Sequence, residues 1–319
     1  MDYKIILKDL TSCSGVSGHE GSLALLIKDI FAKYCESVEI DAFYNVIGIK
    51  KGTGKNNKKI MITAHLDEIG LIVKSIDDNG FIKFTNIGGI DRKILLAQEV
   101  TIHGRKDVTG VIGAKPPHLL KAEETKKTVK LDDLAIDTGM IGEKLKKYVS
   151  IGDVITFKSN AFELQNSKFS SKSLDNRISI AAMLEVMRQL NDIKHKDDVY
   201  FVATAQEEFE LTGATISAYN IRPDISIVID ACHGDMPDAP KDETYGLGKG
   251  PAIGLGPNLD RKLTQKIINV AKDYNIPYQI DVEPGDTGTE AWAIQVSRCG
   301  IPTILVSIPV RYMHTPIET

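Results

Sequence analysis

Several carboxylate and imidazole side chains in this sequence follow directly after short apolar runs. The runs around Ile62, Val202 and Val228 have the β-branched composition of buried strands. Open α/β sheets carry their sites at the carboxyl ends of strands, so polar groups in these positions are candidates for one common site. Hard oxygen ligands combined with imidazoles suit zinc or a similar divalent ion. The candidate residues are His65, Asp67, Asp175, Glu207, Glu208, Asp230 and His314.

The segment His65-Leu66-Asp67 places its two polar residues on the same side of an extended chain. We therefore expect Asp67 to accept the free ring N–H of a metal-bound His65. Glu207 and Glu208 are adjacent, and a twist at a strand end lets one bind metal while the other meets substrate or water. Adjacent carboxylates do not suit glycoside hydrolysis, whose two carboxyl groups stand roughly 5–9 Å apart.

Each of these motifs taken alone also has a structural interpretation. An isolated His-x-Asp at a strand end is structural about as often as functional, and an isolated Glu-Glu pair is usually a solvated edge. Asp175 stands just ahead of a predicted helix, where aspartate is a favoured N-cap. Composition and spacing alone therefore leave both interpretations open.

The type of secondary structure that the sequence predicts changes twice along the chain. Helical periodicity over residues 20–34, 176–190, 213–219 and 261–274 alternates with apolar runs at 59–65, 199–205, 225–230 and 304–308. This alternation predicts a mostly parallel sheet covered by helices on both faces. Between residues 70 and 169 short β-type runs separated by Gly, Asp-Asn-Gly and Pro-Pro turns predict a small all-β module. We therefore predict an α/β fold with a discontinuous domain (1–69 and 170–319) and an inserted β-rich domain (70–169).

The bulk composition argues against several classes of function. The formal net charge of -4 gives no basic footprint for nucleic acid. No stretch approaches the roughly 20 apolar residues of a membrane span, and the first residues lack a secretory signal pattern. The 4 cysteines are far apart and form no CxxC pair, as expected for reduced thiols. We expect a cytoplasmic protein without nucleic-acid or membrane partners.

A set of ordered motifs resembles one known family. The motifs are Ala64-His65-Leu66-Asp67-Glu68, Ser173-Leu174-Asp175-Asn176-Arg177, Ala205-Gln206-Glu207-Glu208, Asp230, and Ile308-Pro309-Val310-Arg311-Tyr312-Met313-His314-Thr315-Pro316-Ile317-Glu318. Together they resemble the glutamyl/deblocking aminopeptidases that assemble as tetrahedral particles, some of which have been labelled endoglucanases or cellulases. The resemblance spans nearly the whole chain and implies a three-layer α/β/α zinc-peptidase-like domain with an inserted β-barrel-like domain.

The resemblance also implies a role for each candidate residue. His65 and Asp230 would complete one metal site, Glu208 and His314 the other, and Asp175 would bridge two divalent ions, zinc or else cobalt. Glu207 would be the general base and acid, and Asp67 would orient His65. The peptide bond after Asp175 is often cis in this group of enzymes. The inserted β-rich domain would mediate dimerisation, and dimers of relatives build dodecameric cages.

Some positions depart from the family pattern without touching a proposed ligand. Glu210, Trp292 and His233 replace the usual residues near the motifs, and we expect them to influence substrate choice. His118, in a Pro-Pro-His segment of the insertion, is a further candidate for contact with a site. The sequence leaves their roles, the native metal and the preferred N-terminal residue of the substrate open.

The favoured function is a metal-dependent aminopeptidase that acts on peptides through a water held between two ions. One alternative is a related amide hydrolase, such as a small-molecule deacylase, which would use the same ligands with a different pocket. An endoglucanase is disfavoured by the adjacent carboxylates. A non-catalytic assembly protein is disfavoured by the intact ligand set.

Overall fold

The computed structural model describes residues 2–119 and 129–319, and its strands follow the apolar runs of the sequence. In chain order these strands are β1 (Ser37–Ile40), β2 (Val46–Lys50), β3 (Lys59–His65), β4 (Gly70–Ile76), β5 (Ile82–Ile87), β6 (Glu99–His103), β7 (Asp107–Ala114), β8 (Leu134–Asp137), β9 (Val154–Phe157), β10 (Phe162–Leu164), β11 (Lys168–Ser170), β12 (Asp198–Thr204), β13 (Ile225–His233), β14 (Ala252–Leu255), β15 (Gln279–Val282) and β16 (Thr303–Val310).

The helices lie mainly outside the region from Gly70 to Ser170. They are α1 (Tyr3–Ser12), α2 (Gly21–Phe31), α3 (Gly142–Leu145), α4 (Leu174–Gln189), α5 (Glu207–Glu210), α6 (Thr212–Ile221), α7 (Arg261–Asp273) and α8 (Glu290–Gln295). Short 3-10 turns occur at Arg92–Ile94, Pro117–Leu119 and Leu131–Asp133. Within the described part of the chain, no helix is long and apolar enough to cross a membrane.

An 8-stranded sheet forms the centre of the larger unit, in the order β1-β2-β12-β3-β13-β16-β14-β15. The neighbours β12, β3, β13 and β16 are parallel to one another, whereas β2 and β14 pair with this group in antiparallel fashion. Because the four central strands are parallel, their carboxyl ends meet at one edge of the sheet. This edge is where the candidate site residues follow the strands.

Both faces of this sheet are covered by helices, which gives three layers. Successive side chains of a strand point to opposite faces, so Ile62 packs in the cluster under α1, α2 and α4 while Met61 packs in the cluster under α6 and α8. Strand β12 divides its side chains in the same way, with Phe201 on the first face and Val202 on the second. Runs of buried residues on both faces explain why these strands lack polar alternation. The α/β/α fold class is confirmed.

The region after β3 closes into a β-barrel of strands β4-β5-β8-β7-β6-β9. Its interior is a separate apolar cluster that includes Leu71, Phe84, Ile102, Ile136 and Ile155. Strand β7 alternates exposed and buried residues along its length, as expected for a barrel wall with one solvated face. The inserted barrel-like module is therefore present, while its exact limits at residues 70 and 169 and its role in dimerisation remain proposals.

The structure also corrects some element predictions. Residues 206–208 do not end β12, which stops at Thr204; Glu207 begins the short helix α5. Helix α1 and strands β1, β14 and β15 were not predicted; each of these three strands has only 4 residues, too few to show a period.

Candidate metal centre

An open cavity of about 560 Å³ lies at the carboxyl edge of the central strands. His65 is the last residue of β3, Asp230 lies near the end of β13, and His314 follows β16. Asp175 stands at the start of α4, and Glu207 and Glu208 form the first turn of α5. All six of these sequence-predicted residues line the cavity: His65, Asp175, Glu207, Glu208, Asp230 and His314.

The first half of the site is organised around His65. Its Nε2 atom lies 3.2 Å from Asp175 Oδ1, 3.6 Å from Asp230 Oδ1 and 3.7 Å from Glu207 Oε2. His65 is only 2% exposed and Asp230 only 3% exposed. Three carboxylates therefore surround one imidazole nitrogen in a nearly dry environment.

The second half of the site is organised around His314. Its Nε2 atom lies 3.2 Å from Glu208 Oε1 and 3.5 Å from Asp175 Oδ2. Asp175 thus presents one carboxylate oxygen to each histidine. This is the arrangement that a carboxylate shared between two neighbouring cation positions needs.

The electrostatics of the cluster are dominated by burial of like charges. Burial raises the pKa of Glu207 and of Asp230 well above the ordinary values, and neighbouring carboxylates add to this effect. Burial opposes charge on His314, but Asp175 and Glu208 outweigh it and raise the pKa of His314 to about 11. The same contacts with His314 and His65 hold the pKa of Asp175 below its ordinary value in spite of burial. Packed acids of this kind are stabilised by bound cations.

The residues present fit a divalent cation. Among the described residues, two groups have ligand atoms within 4.8 Å of one another: His65, Glu207 and Asp230 form one, and His65, Asp175 and Glu208 form the other. Asp230 Oδ2 is buried and has no hydrogen-bond partner within the described part of the chain. A buried carboxylate oxygen without a donor is costly unless a cation satisfies it. Imidazole and carboxylate donors together match zinc and similar ions.

Asp67 is positioned behind the site and holds the α5 turn. Its Oδ1 accepts the N–H of Glu207 at 3.0 Å, and its Oδ2 accepts the N–H of Glu208 at 3.2 Å and the hydroxyl of Ser17 at 2.6 Å. The same Oδ1 lies 3.5 Å from His65 Nδ1, an ion-pair distance rather than a hydrogen bond. Asp67 therefore contacts the backbone of both glutamates as well as approaching the ring of His65.

The turn that carries the two glutamates is a local departure from regular structure. Gln206 has a φ of 56°, a left-handed conformation that is uncommon outside glycine, and it ends β12 abruptly. The N–H of Gln206 donates to the buried carboxylate of Glu20 at 3.1 Å. Backbone N–H groups that donate to Glu20 and Asp67 therefore fix this turn, whereas the sequence pattern predicted a simple strand end.

The peptide bond between Asp175 and Asn176 is cis. Asn176 donates from Nδ2 to the carbonyl oxygen of Ile229 at 3.0 Å, which ties this segment to β13. The regular part of α4 follows, since Asp175 and Asn176 have non-helical backbone angles. Asp175 is therefore presented from a turn rather than from the helix itself.

Two contributors to the site were not assigned by the sequence. Glu318 is 2% exposed, and its carboxylate accepts the N–H of Asp175 at 2.9 Å and the N–H of His314 at 2.8 Å. The carbonyl oxygen of Gly89 accepts a hydrogen bond from His314 Nδ1 at 2.8 Å. The available signals were an acidic residue four positions after His314 and a Gly-Gly turn after β5, and neither is specific.

A buried ionic network lies next to the carboxyl edge of the central strands. Glu68 accepts hydrogen bonds from Lys172 and Ser173, and its Oε1 lies 3.0 Å from Arg177 Nη2. Arg177 is fully buried and also donates to the carbonyl oxygen of Leu10 at 2.6 Å. Arg177 and Lys172 hold the pKa of Glu68 at about 2, despite burial. The network joins the end of β3 to the segment that presents Asp175.

Four further residues were named from the sequence as candidates for substrate contact, and two of them line the cavity. Glu210 and His233 line the cavity. Trp292 lies in α8 and His118 lies exposed in a 3-10 turn, and neither is among the cavity-lining residues. Of these four residues, Glu210 and His233 are therefore the two that line the cavity.

The chain combines a three-layer α/β/α domain, an inserted barrel, and a cluster of two histidines and four acids at the strand ends. This combination is typical of a metal-dependent hydrolase. The model of the M42 glutamyl aminopeptidase family matches residues 45–319. The chain therefore belongs to the M42 glutamyl aminopeptidase family, whose members are metal-dependent aminopeptidases.

Known aminopeptidases are similar to this chain over nearly its full length. A lysyl aminopeptidase of Pyrococcus furiosus is 36% identical, over 98% of this chain and 90% of the relative. An aminopeptidase structure from the archaeon Desulfurococcus kamchatkensis has 37% identity and a TM-score of 0.92, and covers 99% of this chain and 89% of its own. The TET1 peptidase of Pyrococcus horikoshii, described as able to assemble into a tetrahedron or a large octahedral shell, has 31% identity and a TM-score of 0.85, with coverage of 99% and 94%.

Proposed function

We propose that this aminopeptidase holds two divalent ions per chain and removes N-terminal residues from peptides by attack of a water molecule. The observation that carries this proposal is the position of Asp175, whose two oxygens lie 3.2 Å from His65 Nε2 and 3.5 Å from His314 Nε2. A carboxylate that faces two separate imidazoles suits a bridging ligand.

We propose ligands for each ion from the donor set. His65 and Asp230 would hold one ion, Glu208 and His314 would hold the other, and Asp175 would be shared by both. Zinc is the proposed metal, with cobalt as the alternative, because the set combines imidazole nitrogen with hard oxygen. When bound, such ions polarise a scissile carbonyl and lower the pKa of a water molecule.

Glu207 is the proposed general base and acid. It lies beside the cluster, with Oε2 at 3.7 Å from His65 Nε2 and its main chain fixed by Asp67. Glu207 takes a proton from the attacking water and returns it to the leaving amine. Asp67 holds Glu207 and Glu208 in place and approaches the ring of His65, so it acts as a positioning residue.

We also propose that the chain forms dimers through its barrel and that these dimers build a dodecamer in the cytoplasm. The ability of the similar TET1 peptidase to assemble into a tetrahedron supports this proposal. Light scattering of the purified protein tests it: a dodecamer-sized particle is expected, and a stable monomer would contradict it.

Chelation and reconstitution test the function. Protein stripped with a chelator should lose hydrolysis of aminoacyl amide reporters and regain it with zinc or cobalt. N-acylated amides and soluble cellulose should remain uncleaved, and their hydrolysis would instead favour a deacylase or an endoglucanase. Metal analysis should give two ions per chain, and His65→Ala or His314→Ala should lower this number. The matched control is His195→Ala, whose ring contacts the Asp197 carbonyl oxygen away from the site.

A further inference from the structure

A second cavity of about 410 Å³ opens directly beside the metal centre. Both cavities are lined by Ala231, His233, Gly288, Thr289 and Met313, so they adjoin one another. A peptide whose first carbonyl lies at the metal centre has its first side chain within reach of this neighbouring space. We call this second cavity the side pocket.

The wall of the side pocket carries two carboxylates from the same stretch of chain. Asp281 lies in β15 and Glu283 follows two residues later, with its N–H still bonded to the Leu255 carbonyl oxygen at 2.8 Å. Residues two apart in an extended strand share one face, and both acids are among the residues that line the pocket. The backbone therefore directs both acids into the pocket.

Asp281 is held in place and yet lacks a counter-charge. Its side chain is only 8% exposed, and its Oδ1 accepts the hydroxyl of Tyr245 at 2.5 Å. In the described part of the chain, no lysine, arginine or histidine forms an ion pair with Asp281 or Glu283. A buried carboxylate without a cationic partner is unfavourable, so the pair is poised to gain from a positive group.

The rest of the lining strengthens this negative character. Asp242 and Glu243 also line the pocket and are exposed. Among its described lining residues there is no lysine or arginine, and His233 is the one side chain that can become positive. Burial and the neighbouring Asp281 raise the pKa of Glu283 to about 7, which reflects the crowding of negative charge.

The size and the apolar parts of the pocket favour a long side chain over a bare ion. The volume far exceeds the roughly 30 Å³ that one water molecule occupies in the liquid. Leu305, Pro284 and Met313 line the pocket together with the acids. A lysine or arginine side chain combines an apolar stem with a charged end, and so matches both kinds of lining.

We propose that the side pocket binds the cationic side chain of an N-terminal lysine or arginine and thereby selects peptides with a basic first residue. This inference rests on the proposed aminopeptidase function, because it assigns the pocket to the first residue of the substrate. Asp281 and Glu283 are the specificity-determining residues.

The test compares kcat/KM of the metal-reconstituted enzyme on lysyl, arginyl, leucyl and glutamyl amide reporters. The expected result is at least about tenfold higher kcat/KM for the lysyl and arginyl reporters than for the leucyl and glutamyl ones. A preference for the leucyl or glutamyl reporter would overturn the proposal. Absence of hydrolysis on every reporter would refute the proposed function itself, so the two failures are distinguishable.

Isosteric variants locate the effect. Asp281→Asn and Glu283→Gln should each lower kcat/KM on the lysyl reporter at least about tenfold while leaving the leucyl value within about threefold. Glu283 is only half-buried, so its variant remains informative if Asp281→Asn fails to fold. Asp273→Asn removes one exposed charge from α7 and is the matched control, expected to change neither value. Equal losses on both reporters would overturn the proposal.

Discussion

His314 and Gly89 join the two structural units at the metal centre. The Nδ1 atom of His314, which follows β16 of the large sheet, lies 2.8 Å from the carbonyl oxygen of Gly89, which follows β5 of the barrel. A carbonyl oxygen only accepts, so Nδ1 is the ring atom that donates to Gly89, and Nε2, which faces Asp175 and Glu208, is the ring atom that would bind a metal ion. The barrel thus contributes to the orientation of a proposed metal ligand.

Gly89→Ala should weaken metal binding at the His314 side of the site. A Cβ at position 89 would lie 3.2 Å from His314 Nδ1, so the ring or the loop has to shift. The shift displaces the carbonyl oxygen that His314 Nδ1 contacts, and loss of such an outer contact lowers metal affinity by about 10–100-fold. Calorimetric zinc titration measures the affinity. Gly113→Ala is the matched control, because a Cβ there meets nothing within 4 Å. Unchanged affinity for Gly89→Ala would show that the close approach is unimportant.

Glu207→Gln should lower kcat by about 10²–10⁴ while both ions stay bound, since a neutral amide cannot accept the proton. Reporter kinetics and elemental metal analysis on the same sample provide the two measurements. Glu143→Gln changes an exposed glutamate of α3 and should retain full activity. Loss of one ion from Glu207→Gln would instead identify Glu207 as a ligand, in line with its place in one of the two ligand groups.

Much of the site could be predicted because it follows the ends of parallel strands. His65 and Asp230 terminate apolar runs, and a parallel sheet brings such ends together without further information. The turn at Gln206 could not be predicted, because its φ of 56° accompanies a hydrogen bond from its N–H to Glu20, which is distant in sequence. The role of Gly89 could not be predicted either, because it contributes a backbone carbonyl oxygen, which every residue type has.

Glu318→Gln should lower both stability and metal affinity. The carboxylate accepts one N–H from Asp175 and one from His314, and an amide group would turn an N–H₂ toward one of these donors. Leaving a buried N–H donor without its acceptor costs about 1–3 kcal/mol of unfolding free energy. Urea unfolding of metal-free protein and zinc titration measure the two effects. A variant that is destabilised but binds zinc normally would limit Glu318 to a structural role. The control is Glu163→Gln, which changes an exposed glutamate.

Glu68→Gln should destabilise the protein by about 3–5 kcal/mol at neutral pH, because two buried cations lose their shared anion. The pKa of Glu68 is lowered to about 2 by Arg177 and Lys172, so this stabilisation is present above the unfolded-state pKa. It is lost as the pH falls toward 2, and the difference between wild type and variant should narrow below about pH 4. Denaturant unfolding at pH 7 and pH 3.5 measures this. Glu99→Gln, which breaks an exposed ion pair with Lys158, should cost at most about 1 kcal/mol at either pH.

The preference for a basic first residue should depend on pH through Glu283. Burial and Asp281 raise its pKa to about 7, with a further contribution from Asp286. Above that pH the carboxylate is charged and attracts the substrate ammonium; below it the acid is neutral and the attraction weakens. The ratio of kcat/KM for the lysyl reporter to that for the leucyl reporter should therefore rise between pH 6 and 8.

The ratio of the two kcat/KM values separates the effect of Glu283 from that of the metal centre. Protonation of the metal ligands, of Glu207 and of the reporter α-amino group affects both reporters alike and cancels, while the lysyl side chain stays charged up to a pKa of about 10.4. Other titratable groups that line the pocket are Asp242, Glu243, Tyr245, Cys232 and His233. Among these His233 is the one imidazole, so a His233 variant is the control for the Glu283 variant. Glu283→Gln should flatten the profile and His233→Gln should preserve it; the reverse pattern would transfer the effect from the carboxylate to the imidazole.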